Sequence, residues 1–455
     1  MKVVIVGAGM VGTALASALA QDGHDLVVVE QDEDRAAALE ASVDAQVIRG
    51  NGARPAVLEK AGVTVGGDVD VVIGCANRDE VNLMAGWLAK RAGVKQVMTR
   101  ARDLEFTDSP LWAHDLGIDV MTSPERALSR EILSLLQVSA AVHSLELKEG
   151  RAGSFAFRVE PTSPIKGKSL AQVGRAHPEL EAIIVFVQRG AEGFVPDGSW
   201  LAQEGDVCYV VTTSQHVLGV QRLFHYESQR TLSQVMIVGG GKLGAHLAGL
   251  LEKQAGGVQV LLIDRDLEKC RKLAAEYEGV EVIHGDGLDK ALLRDLGVAR
   301  ADGLVVTTDS DELNVMIGSL GRHLGCAKTI SVVRNKVYED LAPLLPVDAL
   351  INPHETLAAI FLRHVRYPQS AGAMTLIDRI DAEMVEVTVD EASPYVGQTI
   401  AQMGLPKGAL IAMISRKKRM LVPNGSTVLK AGDVVSLFAS RSQMAAAKAM
   451  LELGA

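Results

Sequence analysis

A motif of three glycines, Gly7-Ala8-Gly9-Met10-Val11-Gly12, returns 232 positions later as Gly239-Gly240-Gly241-Lys242-Leu243-Gly244, and it does not return alone. Asn77-Arg78-Asp79-Glu80-Val81-Asn82 recurs at the same offset as Asp309-Ser310-Asp311-Glu312-Leu313-Asn314. Gly50-Asn51-Gly52 matches Gly285-Asp286-Gly287, and Ser123-Pro124-Glu125 matches Asn352-Pro353-His354-Glu355. Ser163-Pro164 with Gly167 answers Ser393-Pro394 with Gly397. Val195-Pro196-Asp197-Gly198 and Gly205-Asp206-Val207 answer Val422-Pro423-Asn424-Gly425 and Gly432-Asp433-Val434. The offset drifts only between 227 and 235, which small insertions in loops explain. One glycine fingerprint could arise by chance, but ordered landmarks at a nearly fixed spacing mark a tandem duplication. Whatever this chain folds into must be built twice.

Each unit has two parts. The first alternates apolar runs with helical stretches: Val3–Val6, helix Gly12–Ala20, Leu26–Glu30, helix Asp34–Ala41, Val47–Ile48, Val69–Cys75 and Val94–Thr99. The second copy repeats the order with Gln234–Val238, Val258–Asp264, Val280–Ile283, Gly303–Thr308 and Lys328–Val333. Strands apolar on both faces, alternating with helices, imply a parallel doubly wound sheet. Each such part ends in a marked helix. Ser123 or Asn352 is its N-cap, and Pro124 or Pro353 sits at the first helical position, where a missing N–H costs nothing. Glu355 stands where it could close a capping box on Asn352, while Arg126 replaces it in the first copy. Leu128, Ile132, Leu135 and Leu136 form an apolar stripe, which is core if covered and a pairing surface if exposed. The second part of each unit is small and β-rich, with strands Ile183–Val187, Val207–Thr212, Ala409–Ile414 and Val434–Ala439 and turns at Asp197-Gly198 and Asn424-Gly425.

Composition narrows the class. A chain of 455 residues has room for three or four domains at ~100–200 residues each. A net charge of −10 argues against a nucleic-acid binder, which would carry a basic stripe. Cys75, Cys208, Cys270 and Cys326 are far apart and suggest neither a zinc site nor a disulfide framework, which fits a reducing cytosol. No apolar run approaches the ~18 residues of a membrane span, so direct membrane insertion is not expected. Met1-Lys2-Val3 runs straight into the first strand, leaving no room for a signal peptide.

The glycine loops have a mechanical meaning. Between a strand and a helix, the first glycine makes the turn, the second lets the backbone approach a pyrophosphate, and the third lets the helix pack on the sheet. The helix N-terminus then offers N–H groups to phosphates. In both copies an acidic residue, Glu30 or Asp264, ends the second strand, where a carboxylate can receive ribose hydroxyls. The expected fold is therefore α/β, with two Rossmann-like doubly wound parallel sheets, each followed by a small β-rich α+β domain. Lys242 sits inside the second loop, to pair with phosphate or simply to be solvated. Asn51 and Asp286 would lie near the adenosine half of a ligand, although turn chemistry alone also explains them. Ala76-Asn77 and Thr308-Asp309 end the fourth strands, on the crevice side. A dehydrogenase would also need a proton donor facing the nicotinamide. The 11 histidines are scattered and none recurs at matching positions, which weakens an enzyme reading.

This order closely resembles the RCK (regulator of potassium conductance) family. The residues that carry the resemblance are Gly7 to Gly12, Glu30, Gly50-Asn51-Gly52 and Asp79-Glu80-Val81-Asn82, with Arg100 and Arg102 after the fifth strand. Arg102 recurs as Arg334, whereas Val332 stands where the first copy has Arg100. Most relatives have one unit; the doubled form is similar to the peripheral cytosolic subunit of a bacterial potassium-uptake system. The resemblance implies four domains, at 1–140, 141–228, 229–368 and 369–455, and a homotetramer arranged as a ring. It implies binding of NAD(H) and ATP/ADP, with Gly7, Ala8, Gly9, Met10, Val11, Gly12, Glu30, Asn51, Ala76, Asn77 and Arg100 forming one site. Gly239, Gly240, Gly241, Lys242, Leu243, Gly244, Asp264, Asp286, Thr308 and Asp309 would form the other. The partner it implies is the membrane-embedded Trk potassium channel subunit, held at the inner face of the membrane. The competing readings are an NAD-dependent oxidoreductase with two cofactor domains and a free nucleotide-binding assembly factor.

Overall fold

The computed structural model describes residues 1–108, 110–138, 141–147, 152–190, 192–225, 232–253, 257–366, 375–377, 382–417 and 419–452. The domain boundaries expected at 140, 228 and 368 fall on residues outside that set.

Six strands form the first sheet: β1 Lys2–Val6, β2 Asp25–Glu30, β3 Gln46–Arg49, β4 Val71–Gly74, β5 Gln96–Arg100 and β6 Val120–Thr122. All pair in parallel in the order β3-β2-β1-β4-β5-β6, which reverses direction between β1 and β4. Val3 and Ile5 face one hydrophobic core and Val4 and Val6 the other. That double burial is why the strand reads as an unbroken apolar run.

A small antiparallel sheet follows: β7 Ala141–Leu147, β8 Ala152–Arg158, β9 Ala182–Arg189, β10 Glu192–Phe194 and β11 Val207–Thr213, in the order β10-β9-β11-β8-β7. The second parallel sheet, β12 Gln234–Val238, β13 Gln259–Asp264, β14 Val280–His284, β15 Gly303–Val306, β16 Thr329–Val332 and β17 Ala349–Ile351, repeats the first in the order β14-β13-β12-β15-β16-β17. The last small sheet holds β18 Thr375–Ile377, β19 Ala382–Thr388, β20 Ala409–Arg416, β21 Arg419–Leu421 and β22 Val434–Ser440, in the order β18-β19-β22-β20-β21.

The small domains explain one of the repeated landmarks. Arg189 donates from Nε and Nη2 to both carboxylate oxygens of buried Asp206, at 2.7 and 2.8 Å, and Arg416 does the same to Asp433, at 2.7 and 2.6 Å. Such two-pronged, charge-assisted bonds hold a strand end firmly. The Gly-Asp-Val landmark is the seat of that clamp. Asp197-Gly198 and Asn424-Gly425 do form turns, closed by Trp200 N–H on Asp197 and Thr427 N–H on Asn424, but they do not close the hairpins. Those lie upstream, where Arg189 pairs with Glu192 and Arg416 with Arg419, and Gly190 and Lys417 adopt positive φ.

The helices that end the two parallel sheets are exchanged. Helix Pro124–Gln137 packs Leu128, Ile132 and Leu135 among Val235, Ile237 and Leu247 of the second sheet and its first helix, and among Phe157 and Val210 of the first small domain. Helix Pro353–Arg366 packs Leu357, Phe361 and Val365 among Val3, Ile5, Leu15 and Leu19 of the first sheet and among Val385 and Leu437 of the last small domain. Matched side-chain bonds fasten the exchange. Gln96 Nε2 donates to the His364 carbonyl at 3.1 Å, while its repeat counterpart Lys328 donates to the Ala141 carbonyl. Arg366 pairs with Asp22 at 2.7 Å, and the Thr356 hydroxyl donates to Glu131 at 3.0 Å. The two small sheets also meet face to face, with the Phe186 and Phe438 ring centroids 6.3 Å apart. The apolar stripes legible in the sequence are thus core: the two halves of one chain bury them against each other. One cap differs from expectation. Asn352 Oδ1 accepts from His354 N–H at 2.9 Å, and Glu355 turns instead toward Lys336 at 4.0 Å, so no capping box closes.

Candidate functional site

At the carboxyl ends of β1, β2 and β4 lies a crevice with about 600 Å³ of open space, solvent at its mouth included, lined by Gly7, Gly9, Glu30, Asn51, Ala76 and Asn77 among others. The three glycines of its loop do three separate jobs. Gly7 has φ 104, and a Cβ there would come within 2.7 Å of the Ala76 backbone. A Cβ on Gly12 would lie 1.9 Å from the Gly7 carbonyl oxygen, so only glycine lets the helix Met10–Gln21 sit on the loop. Gly9 is different: its φ is −72, and a Cβ would meet nothing within 4 Å. The fold does not need glycine at position 9; close approach of a ligand would. The second loop copies this, with φ 107 at Gly239, the Gly239 oxygen 1.9 Å from a Cβ on Gly244, and open space at Gly241. Gly9 and Gly241 are the N-caps of helices that carry no side-chain cap, which leaves their first N–H groups aimed out of the loop.

Glu30 is buried and already occupied. Its Oε2 accepts the Ala8 N–H at 2.6 Å, and its Oε1 accepts those of Gln31 at 2.7 Å and Asp32 at 2.9 Å. The carboxylate therefore ties the glycine loop to the end of β2 before any ligand arrives. Asp264 does the same for Gly240 N–H at 2.7 Å and Asp266 N–H at 2.8 Å, and it also receives the Lys269 ammonium at 3.0 Å. Burial alone would raise the Asp264 carboxyl, but the two N–H groups and Lys269 outweigh it and hold the group below the usual carboxylate range.

Ala8, Val11 and Gly12 are buried behind the loop, while Met10 and Lys242, the first residues of their helices, are exposed. Leu243 and Gly244 follow Lys242 into the second helix. Asn51 and Asp286 each spend one side-chain oxygen on a turn, accepting from Ala53 and Leu288 N–H at 2.9 Å. Asn51 still lines the crevice. Thr308 and Asp309 stand at the matching strand end of the second copy, where Arg334 approaches Asp309 at 3.7 Å and Asp311 at 3.5 Å. Arg100 does not line the first crevice. It is buried at the end of β5, its Nε without a hydrogen bond, and burial, then Arg102, pull its guanidinium below the ordinary value. In the second unit, burial, then Arg100 and Arg334, push His354 down to about 4. The end of the first sheet thus abuts the start of the exchanged helix of the second.

Several working residues carried only a weak sequence signal. Asn82 donates from its buried amide to the carbonyls of Ala76 and Arg100, at 2.9 and 3.0 Å, and accepts the Ala76 N–H at 2.8 Å. Asn314 repeats this between Thr308 and Val332. These amides pin the ends of neighbouring strands, and their recurrence 232 positions apart was the clue. Cys75 and Thr307 lie under the loops and donate to the carbonyls of Gly7 and Gly239. Arg35, which lines the first crevice, and its counterpart Lys269 gave no signal beyond their place in a charged helix.

No helix among the described residues is long and apolar enough to cross a membrane, and no cluster there could hold a metal ion. The TrkA-N domain family matches residues 3–124 and 235–353, and the TrkA-C domain family matches residues 384–452. The Trk system potassium uptake protein TrkA of Halomonas elongata is 30% identical over 445 residues, covering 96% of this chain and 95% of that one. A TrkA homolog of Archaeoglobus fulgidus is 31% identical over 443 residues, covering 96% and 97%. Among solved structures, the GsuK channel bound to NAD shares the fold, with a TM-score of 0.63 at 19% identity over 99% of this chain and 79% of that one. With both parallel sheets and the last small domain matched, and relatives aligned almost end to end, the chain belongs to the TrkA family of Trk system potassium-uptake proteins.

Proposed function

We propose that the chain is a regulatory, non-catalytic nucleotide sensor that binds NAD(H) and ATP/ADP and gates a membrane-embedded Trk potassium channel subunit from the cytoplasmic side. The observation that carries this reading is the pair of glycine loops, the first of which opens on the crevice at the ends of β1, β2 and β4. Each joins a helix N-terminus that has no side-chain cap, a glycine whose side-chain space is left open, and a carboxylate at the end of the second strand. That combination suits a nucleotide's phosphates and ribose. The relatives are named for a Trk potassium-uptake system, which supports a membrane transport partner, and solved structures of GsuK, a channel, include forms bound to NAD and to ADP.

The chemistry lining the first crevice favours binding over turnover. Glu30 is committed to three backbone N–H groups, and burial pushes the Cys75 thiol up to about 12, so neither is poised to move a proton. The exchanged helices give a route from ligand to output. A nucleotide that favours one setting of the strand ends also favours one setting of the helix that starts beside them, and that helix is packed on the other unit. In this reading the units 1–140, 141–228, 229–368 and 369–455 form one quarter of a homotetrameric ring. Calorimetric titration of NAD, NADH, ATP and ADP into the purified chain tests the sensor. Saturable binding without cofactor turnover is expected; substrate-driven NADH oxidation would refute it.

A further inference from the structure

Both small domains carry the same hairpin, and its two copies follow opposite rules. In the first, Arg189 stands directly opposite Glu192, and Gly190 takes the positive φ, 60, of the turn. In the second, Arg416-Lys417-Lys418-Arg419 fills the corresponding positions. Arg416 there stands opposite Arg419, and Lys417 takes φ 49, a left-handed conformation that its counterpart leaves to glycine. Opposite charges across a strand pair stabilise it and like charges destabilise it, and the left-handed region costs any residue with a Cβ more than it costs glycine. The fold builds this turn once from favourable residues and once from unfavourable ones.

Positive charge gathers around the second tip. Arg416 is tied to Asp433, but Lys417, Arg419 and Lys430 are exposed, and no ion pair among the described residues neutralises them. Lys430 lies at the same end of the domain, because its N–H donates to Asp433 at 2.9 Å. Exposed Val396 and Val428 lie there too: Arg416 donates to the Val428 carbonyl at 2.8 Å, and Gly397 N–H to the Leu429 carbonyl at 2.9 Å. The first domain differs at these places. Gln203 stands for Lys430, and Lys166, in the place of Val396, is paired with Glu204 at 2.8 Å. A charge on an edge strand guards a sheet against pairing, but Glu192 alone does that in the first domain. Guarding an edge requires neither like charges face to face nor a lysine at positive φ. Cationic side chains bordered by exposed apolar ones are the chemistry that an anionic lipid surface attracts. The net charge of −10 does not oppose this, since at physiological salt charges beyond about 8 Å are largely screened.

We infer that the hairpin tip of the last small domain is a docking surface for anionic phospholipid headgroups, with Lys417, Arg419 and Lys430 as its contacts. This contact is independent of nucleotide and gives the chain its own hold on the membrane.

The test is co-sedimentation of the full chain with vesicles of phosphatidylcholine alone, or of an equal mixture with phosphatidylglycerol, at physiological salt. Lys417→Gly/Arg419→Glu gives the second tip the residues of the first. A basic residue near an anionic surface contributes about fivefold in affinity, so removing three charge units should weaken binding to the mixed vesicles by roughly a hundredfold. The melting temperature of this variant should equal or exceed the parent's. Lys430→Gln, which leaves the turn untouched, should cost about fivefold. No binding of the parent to mixed vesicles, equal binding to both vesicle types, or equal binding by parent and double variant would overturn the inference. So would a lower melting temperature in the double variant, which would make the tip a stabilising feature. Capture of the parent by a poly-glutamate peptide without vesicle binding would assign the tip to an acidic protein segment instead. Each of these failures leaves the nucleotide-sensor reading, tested by calorimetry, untouched.

Discussion

Gly9→Asp should leave the fold intact and abolish nucleotide binding at the first crevice. A Cβ at position 9 meets nothing within 4 Å, and the backbone there, φ −72 and ψ −174, is extended and open to any residue. The position is a helix N-cap, where exchanging glycine and aspartate changes stability by only a few tenths of a kcal/mol. The carboxylate would stand where a pyrophosphate must come. Two like charges about 4 Å apart at an effective dielectric of about 20 repel by roughly 4 kcal/mol, close to three decades in affinity, and screening still leaves about two. Gly12→Ala provides the contrast. Its Cβ would lie 1.9 Å from the Gly7 oxygen, so the helix must move and stability should fall by at least about 1–3 kcal/mol. Calorimetry with NADH and ADP, paired with thermal melting, separates the two effects. Wild-type affinity in Gly9→Asp, or a collapse of its melting temperature, would refute this assignment of the glycines.

Glu30→Ala should weaken first-site binding by about one to two decades and also lower the melting temperature, because three backbone N–H groups lose their acceptor; Glu30→Gln, which keeps one acceptor oxygen, should recover part of the stability. Binding loss with no change in melting would show that the loop does not depend on this carboxylate. Burial, with Arg322 adding to it, pulls the Lys328 ammonium down to about 7, whereas an unfolded lysine titrates near ~10.4. Between those values the unfolded chain holds a proton the folded chain has released, so this group makes stability rise with pH by up to about 1.4 kcal/mol per unit and contributes no slope below about pH 7. Denaturant unfolding across that window should show the rise in the parent and its loss in Lys328→Met; parallel curves would contradict it. Light scattering should report a multiple of the 48.3 kDa chain mass, and a single-chain mass would count against the ring.

The duplication, both parallel sheets and the placing of the glycine loops were legible because each rests on local rules. Alternation of apolar strands with helices, and glycines where backbones touch, are written in consecutive residues. The exchange of helices was not. Leu128 and Ile132 announce an apolar stripe, but nothing in their spacing says that Val235 and Ile237 of the other half cover it. Glu30 was placed correctly at the end of β2, yet its bonds to Ala8, Gln31 and Asp32 depend on rotamers that only the folded loop selects. Arg100 follows the repeated Asp79-Glu80-Val81-Asn82 landmark in sequence, and its burial at the end of β5, outside the lining of the crevice, is set by the fold. Lys269 is one of several charges on a surface helix, and only its 3.0 Å approach to Asp264 sets it apart.

Nucleotide held in these crevices should control potassium flux through a separate channel protein. The most direct measurement reconstitutes the Trk channel subunit in vesicles with this chain and records potassium flux with and without saturating NADH, ATP and ADP. The comparison is with Gly9→Asp/Gly241→Asp, in which both crevices are closed by side chains the fold can accommodate. Flux should respond to nucleotide with the unmutated chain and lose that response with the double variant, although the variant still binds the channel. An equal response in both, or none in either while the chain remains bound, would contradict nucleotide control of the channel.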